Sequence, residues 1–196
     1  MKKNIGRPKT FDTNEIISLA MNYFWIHGYD NSSLDELLKV MKIKKSSFYS
    51  TFKSKEELFS LTLDLYIKEA LKTITELNNE KGTRYTLLRL VNTTAKNLDG
   101  CDNVKGCFLT NAGRECFGKY DNLSAKIALQ LSSFIEFFTK IIQEAKINNE
   151  ISNPLESKKI ASRFLSSYHG MTIMMQAGAD NEIIDNIISS IEELLE

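Results

Sequence analysis

Apolar residues recur at three-and-four spacing along almost the whole chain, the periodicity of helices that bury one face. From Asp12 to His27 the stripe is Ile16, Leu19, Ala20, Tyr23 and Phe24, with Asp12 or Thr13 as N-cap and Gly28 as the stop. A turn at Tyr29-Asp30-Asn31-Ser32 leads into Ser33-Leu34-Asp35-Glu36. That is a capping-box pattern, in which hydroxyl and carboxylate each satisfy a backbone N–H left over at a helix start. The second helix is short and ends near Met41; Lys42-Ile43-Lys44 turns the chain, and a third short helix runs from Lys45 to Phe52. Phe48 and Phe52 lie one turn apart and point inward, leaving Lys45, Ser46, Tyr49 and Ser50 on the outer face. Ser54-Lys55-Glu56-Glu57 repeats the capping box and opens a long fourth helix through Leu58, Leu61, Leu65 and Ile67 to about Asn78.

Longer helical segments follow at roughly 84–98, 105–117, 121–148, 154–177 and 181–195, with a loop over about 99–104. Asn153-Pro154 supplies a cap and a first-position proline, and Gly178 with Asp180-Asn181 separates the last two helices. Only two prolines and nine glycines interrupt 196 residues, so the expected fold is all-α. The pattern divides into a small three-helix head over 1–54 and a larger helical domain over 55–196. No stretch of about 18 apolar residues occurs, which argues against a membrane span and, without an export signal, for a cytoplasmic protein. Three cysteines, Cys101, Cys107 and Cys116, then read as thiols rather than a disulfide framework.

The net charge of zero hides an asymmetry. Residues 1–55 carry ten Lys/Arg against five Asp/Glu, and residues 56–196 carry fifteen against twenty, giving +5 and −5. A basic end on an otherwise acidic chain suits contact with a polyanion, through release of condensed counterions. A solvated charged face is the plainer reading, and charge alone does not choose between them.

The run from Ser33 through Leu58, SLDELLKVMKIKKSSFYSTFKSKEEL, resembles the recognition segment of the TetR family of bacterial repressors, and the arm Gly6-Arg7-Pro8-Lys9 is also similar to that family. The stretch Gly106-Cys107-Phe108-Leu109-Thr110-Asn111-Ala112 resembles one found in a subset of TetR-type C-terminal domains. The resemblance implies a helix-turn-helix head on a ligand-binding and dimerising domain, with partners of double-stranded operator DNA, a small-molecule effector and a second copy of the chain. No cofactor and no metal are expected, since only two histidines are present and the cysteine spacings match no standard zinc site. Lys45, Ser46 and Ser47, with Ser50, would read base edges in the major groove, since a groove-lying helix needs small polar or cationic residues in its first turn. Tyr49 would set its hydroxyl against DNA, and Lys55 and Ser33 would hold phosphates at the starts of the fourth and second helices. Arg7 and Lys9 would follow the backbone or enter a minor groove, or else serve only as solubilising charges. Three positions depart from the family pattern: Lys42 stands where glycine is usual, Lys44 where a serine cap is usual, and Thr51 where an aromatic or histidine is usual, so a phosphate contact from Thr51 would be short and weak.

In the larger domain, Tyr66, Cys107, Phe108, Phe117, Phe134 and Phe138 are the expected walls of an effector site, with Asn111, Arg114 and His169 as its polar groups. The thiols are either inert core residues or sensors of electrophiles, oxidants or a soft metal; their spacings of six and nine residues match no standard zinc site. Phe164, Tyr168, Met171 and Met175 form one apolar stripe, and Ile184, Ile187, Ile188 and Ile191 another. These stripes are the expected dimer interface, unless they are consumed within the monomer. The function implied is a ligand-responsive repressor on a near-palindromic operator, released by a hydrophobic or thiol-reactive effector. The alternatives are a TetR-like activator or architectural factor without an effector, and an enzyme with a cysteine nucleophile. The last lacks a nucleophile-elbow motif and is poor in histidine bases, so no enzymatic activity is expected.

Overall fold

A computed structural model of the chain describes residues 12–96 and 105–196. Among the described residues all regular structure is helical: α1 (Thr13–His27), α2 (Leu34–Met41), α3 (Lys45–Phe52), α4 (Lys55–Lys81), α5 (Thr83–Lys96), α6 (Phe108–Cys116), α7 (Asp121–Ile147), α8 (Ser157–Gln176) and α9 (Asn181–Leu194). Two compact units result, the first ending at Leu65 and the second starting at Tyr66. The head thus takes the opening turns of α4 with it, because Leu58, Phe59 and Leu63 there are all but fully buried.

The head forms where its end signals place it. Asp12 accepts from the Asn14 N–H at 2.9 Å and caps α1, and Gly28, at φ 79°, ends it. Ser33 and Glu36 complete the capping box of α2. Leu37, Met41, Phe48, Phe52, Phe24 and Phe59 fill the centre, with Phe24 and Phe59 edge to face at a centroid separation of 4.9 Å. Leu19, expected to be interior, is 36% exposed; Ile17 and Met21 take the inward positions on α1 instead.

In the second unit α7 and α8 pack along each other and α8 on α9, around Leu87, Val91, Phe138, Ile142, Phe164 and Ile191. Pro154 does not open α8 as its sequence context suggested. Asn153 Oδ1 accepts from Leu155 N–H at 3.0 Å, while the Lys146 ammonium donates to the carbonyls of Asn153 and Leu155 at 2.7 and 2.6 Å. Pro154 therefore lies in a turn held from α7, and the helix starts at Ser157 behind Glu156. No helix among the described residues is long and apolar enough to cross a membrane.

Candidate functional site

The head presents α3 as a short helix anchored from beneath. Phe48 is wholly buried and Phe52 1% exposed, their rings 5.6 Å apart, and this pair fixes which face of α3 turns outward. Lys45, Ser46, Ser50 and Thr51 are exposed, Tyr49 is 51% exposed, and Ser47 is half-buried. The hydroxyls of Ser50 and Thr51 both donate to the Ser47 carbonyl, at 2.8 and 2.9 Å, so each must leave that bond or use its remaining lone pairs to meet another group. Lys44 extends the chain into α3 without a side-chain cap, leaving the first backbone N–H groups of α3 without a side-chain partner from the N-cap. Lys42 adopts the left-handed conformation, φ 55° and ψ 36°, that ends α2 and sets the turn between the two helices.

Two expected phosphate contacts are otherwise engaged. Ser33 gives its hydroxyl to Glu36 at 2.6 Å and receives the Glu36 N–H at 3.3 Å. The Ser33 hydroxyl and then the Ser33 backbone N–H, both donating to it, hold the Glu36 carboxyl below its usual range. Lys55 does not project into solvent: its ammonium donates to the carbonyls of Tyr29 at 2.9 Å and Ser32 at 3.1 Å and sits 4.2 Å from the centre of the Tyr29 ring.

The second unit gathers a polar cluster inside its apolar interior. Tyr66 of α4 donates its hydroxyl to the Cys107 sulfur at 3.5 Å and meets the Phe108 ring edge to face at 5.7 Å. Cys107 is the N-cap residue of α6 and is 6% exposed. Burial pushes its thiol up, but the His169 imidazole beside it, aided by Thr110 and Tyr66, outweighs that and brings it down to about 7. The positive end of α6 acts in the same sense. Burial, and next the neighbouring Cys107, drive the Tyr66 phenol well above its ordinary value. The rings of Tyr168 and His169 are tilted at 52° with centroids 5.6 Å apart, and Tyr168 shares a hydrogen bond of 3.0 Å with Thr94. A buried thiol, two phenols and an imidazole therefore converge from α4, the start of α6 and α8. Chemically, such a set can attack a soft electrophile or hydrogen-bond a carbonyl.

Residues 16–61 match the family described as bacterial regulatory proteins, tetR family, and residues 85–191, more than half the chain, match the tetracyclin repressor-like C-terminal domain. The chain belongs to the TetR family. It is 36% identical over 113 residues to the HTH-type transcriptional repressor ComR of Escherichia coli, an alignment spanning 57% of this chain and 54% of that relative, so the match covers about half of ComR's length. Escherichia coli NemR in its reduced form has the same fold, with a TM-score of 0.82 at 18% identity over 95% of this chain and 98% of NemR. A cysteine mutant of the TetR family regulator CifR, solved on a 26 bp operator duplex, superposes with a TM-score of 0.77 at 19% identity, covering 96% and 98% of the two chains.

As a TetR-family regulator the chain is a DNA-binding transcription factor, and its expected site residues divide accordingly. Lys45, Ser46, Tyr49, Ser50 and Thr51 share the outer side of α3, with Ser47 at its edge; Arg7, Lys9 and Cys101 lie outside the described residues. Of the expected effector residues, Tyr66, Cys107, Phe108 and His169 come together, whereas Phe134 and Phe138 pack with Phe164 in the core. Phe117 is corrected outright: it is 82% exposed, one residue past the end of α6, and walls nothing. Arg114 is likewise exposed on α6, and Asn111 turns back to the Lys105 carbonyl at 2.7 Å.

The expected dimer stripe is corrected more widely. Phe164, Met171, Met175, Ile184 and Ile191 are each at most 4% exposed within the single chain, so no partner can bury them. Ile187 and Ile188 are half-buried against the same core, and Tyr168 belongs to the polar cluster. The apolar residues of α8 and α9 that face outward are Ile173, Met174 and Ile183, and elsewhere on the same two helices Ser162, Ser166 and Ser167 look across a groove to Ser190 and Leu194. Thr94 was missed, since a threonine on a helical stripe carries no sign that its hydroxyl meets a buried phenol.

Proposed function

We propose that this TetR-family chain is a repressor that binds a near-palindromic operator as a homodimer and is released by a small thiol-reactive effector acting at Cys107. The observation that carries the effector half is the convergence of Tyr66, His169 and Cys107, with the Tyr66 hydroxyl 3.5 Å from the sulfur. A purely hydrophobic effector is less well supported, because Phe134 and Phe138 are spent on core packing. Two α3 helices on a two-fold axis double the specific contacts of one small head, and the outward faces of α8 and α9, around Met174 and Ile183, are the surface offered to the partner.

An effector releases DNA only through differential affinity for the two states of the protein. The test uses a duplex selected by the protein from random DNA and iodoacetamide as the thiol probe. Alkylation joins the Cys107 sulfur to carbon and expels iodide. The expected result is loss of duplex binding in step with modification of Cys107, with slower modification of the DNA-bound protein. Complete modification of Cys107 with unchanged binding would point instead to a TetR-like DNA binder without a small effector at this site.

A further inference from the structure

We propose that Lys55 is a positioning residue that cinches the base of the helix-turn-helix and so sets the pose of α3 on specific DNA, and that it is not a phosphate contact. This inference concerns the head alone and does not depend on the effector reading.

The carbonyls that Lys55 holds belong to the turn that delivers the chain into α2, while Lys55 itself is the first residue after the link that leaves α3. The bond to the Ser32 carbonyl spans 23 residues, and those residues contain the whole of α2 and α3. One side chain thus ties entrance to exit of the reading motif. The turn gives it reason to stay. Tyr29 is 6% exposed and Ser32 fully buried, so a Ser32 carbonyl without a partner would be costly. The Tyr29 carbonyl also accepts the Ser32 N–H at 3.3 Å, and the Tyr29 ring, pinned against Phe59 at 4.9 Å, supplies a cation-binding face. Moving the ammonium to a phosphate would break two hydrogen bonds and the ring contact together. A surface lysine serving as a phosphate contact has no such commitments.

The two roles separate in DNA binding. A lysine that neutralises a phosphate contributes to specific and non-specific binding alike, and its loss lowers the slope of log affinity against log salt by about 0.9 per phosphate. A lysine that poses the reading helix affects only the specific complex. The experiment measures full-length wild type and Lys55→Met on the duplex selected from random DNA and on a scrambled duplex of equal length, across a salt series, at a temperature where circular dichroism shows both proteins folded. The expected result is affinity for the selected duplex reduced by about tenfold, an unchanged affinity for the scrambled one, and the same salt slope. Equal losses on both duplexes with a shallower slope would overturn the proposal in favour of a phosphate contact. No loss on either would overturn it in favour of a residue that matters only for stability. Should Lys55→Met fail to fold, Lys55→Gln, which keeps an amide donor but no charge, is read by the same criteria.

Discussion

Lys42 offers a clean test of how the turn between α2 and α3 is built. Its backbone sits at φ 55° and ψ 36°, and the bonds around it are those of a Schellman ending: Ile43 N–H to the Leu38 carbonyl and Lys42 N–H to the Lys39 carbonyl, both 3.2 Å. An L-residue in that conformation pays about 1–2 kcal/mol for the approach of Cβ to the following carbonyl. Glycine escapes this cost but loses about 0.4–1 kcal/mol through the greater freedom of its unfolded chain. The balance leaves Lys42→Gly more stable than Lys42→Ala by roughly 0.5–1 kcal/mol. Both variants remove the same charge, so the difference between them isolates the Cβ. Urea unfolding followed by the fluorescence of Trp25, the one tryptophan of the chain, reports on the head, because it lies on α1. The two variants should bind DNA equally. A glycine variant no more stable than the alanine one would refute the claim that Lys42 is held in a strained turn.

Alkylation of Cys107 by iodoacetamide, followed site by site by mass spectrometry, should rise with pH through a midpoint of about 7, because thiolate forms as pH climbs past the lowered value; a midpoint in the ordinary thiol range would contradict the His169 and Tyr66 environment. Phe117→Ser should change stability by no more than about 0.5 kcal/mol, since its ring is already in solvent. A larger loss in thermal melts would mean the ring is covered. On the proposed homodimer, Met174→Asp should raise the protein concentration below which light scattering sees monomer, while helical content is kept; Ile191→Asp, at a fully buried position, should instead unfold the second unit. Equal dimer stability in wild type and Met174→Asp would remove the outward face of α8 from the interface.

Much of the head was legible because its signals are local. Asp12, Gly28, Ser33 with Glu36, and the Phe48/Phe52 pair each constrain a few neighbouring residues, and each acts as the sequence pattern implies. Periodicity failed where two burials look the same. The stripe of Phe164, Met171 and Met175 has the spacing of an interface and of a core alike, and only the packing of α7 and α9 on α8 shows that it is core. Pro154 was misread because Asn153 can cap a helix or make an Asx turn, and Lys146, seven residues back, decides between them. Phe117 sits one position beyond α6, where a helical phase no longer applies. The bonds of Lys55 were not legible for a further reason: its partners are 23 and 26 residues away, outside any local pattern.

In the proposed function α3 is the element that reads DNA. The direct measurement is the consensus selected from random duplexes by wild type and by Ser46→Arg, a substitution on the exposed side of α3 that leaves Phe48 and Phe52 in place. The prediction is a changed base preference at one position in each half-site, with discrimination there of about 1–3 kcal/mol, as an arginine finds guanine. An unaltered consensus bound with uniformly different affinity would contradict it.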